Sequence, residues 1–307
     1  MNKCPIWYLP IDKGLYSQQV LKYLSKNLLS LKPLQYSASE QRQEALNRDS
    51  KLSIQGVQPK WSAILSIKNQ AFEIVDQFGT FIIKPQNDLF QELPENRDLT
   101  MKMAKLFKIE VPIHGLVYSK DKSLSYFIKR FDRYNQNQKY QTEDFSQLTG
   151  NSRETKYNYS IEKTVQVIND YCTFPAIEKI DYFKRILFCF LTGNEDMHLK
   201  NFSLITRNRK TTLAPTYDFL NSSIAIKNPQ EEMALSLKGK KSNFKSSDFI
   251  HYFAKERLEL NDKSIDKVLA DTNKNILNWK QLIEISFLTE EMKTKYLELF
   301  ESRINRF

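Results

Sequence analysis

The spacing of apolar residues changes character along the chain. In residues 17–29, Val20, Leu21, Leu24 and Leu28 fall on one helical face. Ser37 followed by Glu40 forms a capping box, which predicts a short helix running through Leu46. Residues 61–67, 71–75 and 80–84 read as strands, with turns at 68–70 and 77–79. A helix opening at Pro94 or Glu95 repeats Leu99, Met103 and Leu106 at helical spacing, and strands follow at 115–119 and 125–131. The first 131 residues therefore predict a small sheet flanked by helices.

After Phe131 the pattern breaks. Residues 132–158 are polar and aperiodic, which predicts a long surface loop. Beyond them the chain reads as mostly helical. A helix beginning at 173–175 carries a stripe of Ile177, Ile180, Phe183, Leu187 and Phe190, and Gly193 closes it. Residues 202–206 and 213–215 are short strand candidates, and the last 60 residues hold three helical patterns, the final one at 289–307. An α+β chain of two lobes follows: a β-rich N-lobe over 1–131 and a mainly helical C-lobe over 132–307, with a cleft between them.

Composition narrows the chemistry. The 307 residues are 41% hydrophobic and 27% charged, enough for real cores. The longest apolar run, residues 186–191, falls far short of the ~20 residues that cross a bilayer, and the N-terminus lacks a signal peptide's apolar core. A cytoplasmic protein with no membrane partner is expected. Cys4, Cys172 and Cys189 form no CxxC, and His114, His198 and His251 have no zinc spacing. The net charge of +10 suits a polyanionic partner, but the basic residues are spread rather than gathered in one tract. None of the seven glycines builds GxGxxG or a Walker A loop, and there is no GxSxG elbow. Phosphate binding here must rest on side chains and an unusual loop.

One segment carries such chemistry. Asp196 and Asn201 have the D-x-x-x-x-N separation of a kinase catalytic loop, directly after the apolar helix and before a strand. Asp196 is the candidate base and Asn201 a candidate Mg²⁺ ligand; Lys200 between them can neutralise a moving phosphoryl group. His198, in the same loop, is a further catalytic candidate, with a purely structural hydrogen-bonding role as its alternative. Asp218 lies 17 residues beyond Asn201, after a second short strand, where a kinase places its other metal-binding Asp. Leu220 replaces the glycine of D-F-G. In the front half, Lys84 ends a strand, the position of the lysine that grips ATP phosphates, and residues 129–131 would form the hinge.

Taken in order, these pieces resemble the HipA/HipT family of toxin–antitoxin Ser/Thr kinases. The resemblance runs from about Ser53 to Asp218 through Ser53-Ile54-Gln55-Gly56-Val57-Gln58-Pro59-Lys60, residues 81–85, Glu95-Asn96, Val111-Pro112, residues 128–133, residues 193–202 and Tyr217-Asp218. It implies a bilobal protein-kinase-like fold that binds ATP and Mg²⁺ and phosphorylates proteins. It makes Asp196 the base, Asn201 and Asp218 the metal holders, and Lys84 the nucleotide grip, with Lys60 near the phosphates. Arg130 and Phe131 fall at the hinge, with Asp132 against the nucleotide. Ser53 matches the serine that autophosphorylates in a loop replacing the glycine-rich flap, where phosphate would add about −1.5 to −2 charge.

Three departures refine the resemblance. The extra N-terminal subdomain of long HipA members is not visible, which points to HipT, the short toxin of three-component systems. Only one acceptor serine stands in Ser53-Ile54-Gln55, where some HipT-like members have two. The Glu that commonly follows the family's Asn is Arg97 here. The family's targets imply an aminoacyl-tRNA synthetase substrate, the tryptophanyl enzyme for HipT, with a small HipS-like partner and a helix-turn-helix HipB-like antitoxin through which alone DNA is met. The rival expectations are a silent ATP-binding pseudokinase and a nucleic-acid-binding regulator. The first conflicts with the intact Asp196, Asn201 and Asp218, and the second explains none of the ordered motifs.

Overall fold

The computed structural model describes residues 3–48, 59–135, 137–226 and 228–307, so Ser53 and the stretch that follows it to Gln58 lie outside the described residues. The chain forms two compact units. One takes Met1–Leu99, Pro112–Lys139 and Ile285–Leu288; the other takes Thr100–Val111, Tyr140–Glu284 and Thr289–Phe307.

The first unit is built on an antiparallel sheet of β1 (Trp61–Ser66), β2 (Ala71–Ile74), β3 (Phe81–Lys84), β4 (His114–Tyr118) and β5 (Leu124–Lys129). Their order is β2-β1-β3-β5-β4. These are the five strands expected from the sequence, each within two residues of its expected ends. Helix α1 (Gln18–Leu24) is shorter than the spacing predicts, because Ser25 is extended and stops it. Leu28 still reaches the core, 1% exposed, from non-helical chain. The capping box of α2 (Ala38–Arg48) is present in both directions: Glu40 N donates to Ser37 Oγ at 3.2 Å and Ser37 N to Glu40 Oε2 at 2.7 Å. Helix α3 (Leu93–Leu106) begins in this unit. One face of the sheet closes over Ile6, Val20, Leu21, Trp61, Phe72 and Phe127.

The second unit holds β6 (Gln141–Asp144), α4 (Phe145–Leu148), α5 (Ile161–Tyr171), α6 (Pro175–Leu191), β7 (Ser203–Arg207), β8 (Lys210–Leu213) and α7 (Ser222–Ala225). A π-helix at Asp248–Arg257, α8 (Asp262–Glu284) and α9 (Glu290–Ile304) complete it. The expected loop over 132–158 is only partly a loop. Gln141–Asp144 pairs with β7 in a sheet ordered β6-β7-β8, and Asp144 then caps α4 with a full capping box. Phe145 is fully buried against Tyr182 and Phe202. The pairing joins residues about sixty positions apart, so no local periodicity announces it.

Helix α6 is the spine of this unit. Pro175 starts it at a position that lacks an intrahelical acceptor, as the sequence predicts. Its last turns, residues 186–191, are buried on every side. Phe188 packs against Phe107, Phe219 and Trp279 at centroid distances of 6.2, 5.2 and 5.7 Å, and Trp279 Nε1 finds the carbonyl of Met103 at 2.9 Å. Among the described residues, no helix is long and apolar enough to cross a membrane.

Because Phe188 fills the centre of this aromatic cluster, Phe188→Ala leaves a cavity that rigid neighbours cannot close. A loss of about 3–5 kcal/mol in unfolding free energy is expected. Denaturant titration followed by tryptophan emission measures it through Trp279.

Candidate functional site

The loop after α6 starts from a fixed point. Gly193 adopts a left-handed φ of +68°, and a Cβ there would come within 2.7 Å of Asn221 Oδ1 and 2.8 Å of Leu299. Its carbonyl accepts from Ser223 N and Ser223 Oγ, both at 3.1 Å, while Ser222 Oγ accepts from Glu195 N at 2.8 Å. The buried Asn194 accepts from Asp196 N through Oδ1 at 3.3 Å. The turn is thereby fastened to the chain around α7.

Within the loop, Asn201 Nδ2 donates to the backbone carbonyl of Asp196 at 2.8 Å. The five-residue spacing is closed by that bond, and a short 3₁₀ turn at Leu199–Asn201 completes it. Since the amide nitrogen is engaged, the amide oxygen of Asn201 is left as its acceptor. Asp196 is half-buried, and its Oδ1 accepts from the Tyr157 hydroxyl at 2.5 Å. Lys200 is exposed.

The segment bearing Asp218 is tied to the same loop by its neighbour. The Tyr217 hydroxyl donates to Lys200 O at 2.6 Å and so accepts from Ser203 Oγ at 2.9 Å. Upstream, Ala214 N donates to Ser203 O at 2.8 Å, and the buried Arg185 donates to Ala214 O at 2.7 Å while paired with Asp181. The residue before Asn201 and the residue before Asp218 are therefore joined directly.

His198 is buried, with Nε2 at 2.8 Å from the Lys156 ammonium. Desolvation, only partly offset by Asp196 and reinforced by Lys156, brings its pKa down to about 4. The ring is neutral at pH 7, accepts through Nε2 and carries its proton on Nδ1, which is buried without a hydrogen-bond partner. Burial pushes Glu195 up to about 7, against the pull of Arg303 and helped by Glu231 and Asp196.

The remaining predicted residues belong to the first unit. Lys84 ends β3, half-buried and in register with Tyr126; Lys60 stands just before β1, also half-buried. Arg130 donates to Thr80 O through its backbone at 2.8 Å and forks onto both oxygens of Asp132 at 2.9 and 2.5 Å. Burial raises the Asp132 carboxyl, but the bond and charge of Arg130 and the charge of Arg133 outweigh it, leaving its pKa low. Phe131 between them is half-buried.

The sequence matches the HipA-like C-terminal domain family over residues 52–279. The chain belongs to that family. Among its relatives is a protein of Haemophilus influenzae to which a kinase function is ascribed, 33% identical over 243 residues that cover 73% of this chain and 69% of that one. The serine/threonine-protein kinase toxin HipA of Shewanella oneidensis is 29% identical over 191 residues, 56% of this chain and 43% of the toxin. The solved complex of Shewanella oneidensis HipA with HipB and its operator DNA contains a chain that superposes with a TM-score of 0.69. That alignment has 20% identity and covers 89% of this chain and 71% of that one. This HipA-like chain thus carries the kinase-like HipA fold.

Sequence reasoning missed Lys156 and Tyr157, which touch His198 and Asp196, and Tyr217, read only as part of a motif. A Lys-Tyr pair inside a polar stretch carries no local signal, since its partners lie about forty residues on.

For Glu195 the sign of the pH effect follows directly. The folded pKa of about 7 exceeds the ordinary 4.5, so between those values the folded state holds more proton than the unfolded one. Stability therefore falls as pH rises from 4.5 to 7, and the penalty is complete above 7. Glu195→Gln should raise the melting temperature at pH 8 and leave it unchanged near pH 4.5, as read by thermal scans at both values.

Proposed function

We propose that this HipA-like chain is an ATP- and Mg²⁺-dependent protein serine/threonine kinase acting as the toxin of a toxin–antitoxin system. The observation that carries the reading is the bond from Asn201 to the Asp196 carbonyl, together with the Tyr217 bridge to Lys200. A turn cap or a surface loop would need neither. Both bonds support a reading in which Asp196, Asn201 and the residue after Tyr217, Asp218, act as the carboxylate, amide and second carboxylate that phosphoryl transfer requires.

In this reading Asp196 orients the acceptor hydroxyl and takes its proton as the oxygen attacks the γ-phosphorus, whose bond to the β–γ bridging oxygen breaks so that ADP leaves. Lys200, exposed beside it, offsets the charge that develops on the transferred group. Lys84 and Lys60 grip the nucleotide phosphates, and the chain from Arg130 to Asp132 forms the hinge against adenine. Among the described residues no three His, Cys, Asp or Glu side chains gather as a metal cage. One amide and one carboxylate, Asn201 and Asp218, fit an ion that keeps several waters and shares the substrate's phosphates. Bound there, Mg²⁺ would neutralise phosphate charge.

Regulation and target are what the family resemblance implies. By that resemblance the single serine of Ser53-Ile54-Gln55 is the autophosphorylation site and the chain is a HipT-like toxin. The substrate is an aminoacyl-tRNA synthetase, with the tryptophanyl enzyme the first to test. The partners are a small HipS-like protein and a HipB-like antitoxin, the latter supported by the complex in which Shewanella oneidensis HipA was solved. DNA contact would come through that antitoxin.

Asp196→Asn should lower phosphate transfer about 10²-fold or more while leaving the melting temperature unchanged, measured with γ-labelled ATP. Full activity in both Asp196→Asn and Asp218→Asn would sink the assignment. Ser53→Ala is expected to abolish self-labelling but to keep transfer to a synthetase; strong residual label on another residue of the chain, located by mass spectrometry, would overturn the regulatory assignment.

A further inference from the structure

The kinase reading leaves unexplained why two consecutive residues, far away in sequence, reach the catalytic loop. Lys156 and Tyr157 lie in irregular chain between α4 and α5. The Lys156 carbonyl accepts from Leu199 N at 3.3 Å, its ammonium lies 2.8 Å from His198 Nε2, and the Tyr157 hydroxyl reaches Asp196 Oδ1 at 2.5 Å. The phenol ring is itself held. It meets the His198 ring edge-on, with centroids 4.9 Å apart and planes at 86°, and the Lys156 ammonium lies 4.8 Å from its centroid.

We propose that Tyr157 is a positioning residue for the transfer reaction: its hydroxyl fixes the Asp196 carboxylate so that Oδ2 alone faces the acceptor hydroxyl. The inference rests on Asp196 being the base. A carboxylate is an acceptor with two equivalent oxygens, and on a half-buried loop it can rotate between them. A donor clamped on Oδ1 removes that freedom before substrate arrives, the kind of preorganisation that shows in turnover rather than in binding. Burial and the neighbouring Asp196 both push the phenol's pKa up, so it remains a donor through the physiological range.

The held ring also speaks against the opposite role. A hydroxyl that served as phosphate acceptor would have to swing towards the nucleotide. Here the ring is already engaged by the edge-on His198 ring and by the Lys156 ammonium, which are in contact with each other, and His198 stays neutral while accepting from Lys156. His198 then acts with Lys156 as the wall against which Tyr157 is oriented.

Tyr157→Phe keeps the ring and its packing and removes only the donor. With a synthetase substrate, kcat should fall about tenfold, in keeping with loss of one hydrogen bond to a charged group, with KM for ATP and for the protein within twofold of wild type. The melting temperature should hold, and the double variant Tyr157→Phe with Asp196→Asn should be no slower than Asp196→Asn alone, because the phenol acts through that carboxylate. An unchanged kcat, a raised kcat, a fall confined to KM, or phosphate found on Tyr157 would each overturn the proposal. If the wild-type chain transfers no phosphate at all, the kinase reading falls and the positioning role falls with it; if wild type transfers and Tyr157→Phe matches it, only the positioning role is lost.

Discussion

The burial of α6 is the constraint on which the rest of the second unit depends. Residues 186–191 are surrounded by aromatic and aliphatic side chains on all faces, so this helix can neither slide nor rotate without opening cavities at Phe188 or Phe190. Its C-terminus therefore delivers Gly193 to one place, and the loop bearing Asp196 begins there. The same helix controls the second half of the site through Arg185. That guanidinium is buried and would be costly alone, but Asp181 neutralises it and the carbonyl of Ala214 accepts from it. One helix thus fixes both the loop it ends in and the strand that leads to Asp218.

The parts of the fold that were legible in the sequence are those in which local pattern and tertiary demand agree. The β-branched and aromatic runs of β1 to β5 mark buried strands, with β4 and β5 buried at almost every position, and the stripe on α6 is continuous because the helix is a core element. The capping box at Ser37 and Glu40 forms as its two letters require. The spacing of Asp196 and Asn201 has a structural counterpart that the letters alone do not reveal: a side chain bonding a backbone carbonyl across the loop.

Where the sequence was silent, the deciding contact was distant. β6 has the composition of a loop, Gln141-Thr142-Glu143-Asp144, and becomes a strand only because β7 offers it a partner and Phe145 a buried anchor. α1 stops early at Ser25, yet Leu28 remains in the core, so helical spacing and burial coincide there without a helix. The π winding of Asp248–Arg257 is likewise invisible in a pattern that reads simply as helical, and no physical reason for it is evident among its contacts.

The electrostatics of the loop sort its polar letters into different kinds of work. Lys156 brings positive charge close to Asp196, and Lys156 and Lys200 both disfavour a second proton on His198. Burial acts in the same direction, so the imidazole stays neutral near pH 7, with one nitrogen taken by Lys156 and the other enclosed. The ring's one proton therefore sits on the enclosed Nδ1 while Nε2 accepts from Lys156, so in the proposed reaction its part would be orientation. Asp196 differs: one of its oxygens is held by Tyr157, and the carboxylate as a whole is only half-buried. Neutral imidazole, exposed ammonium and clamped carboxylate are three consequences of one basic, partly desolvated turn, and in the proposed reaction the carboxylate is the one that would accept from an incoming hydroxyl.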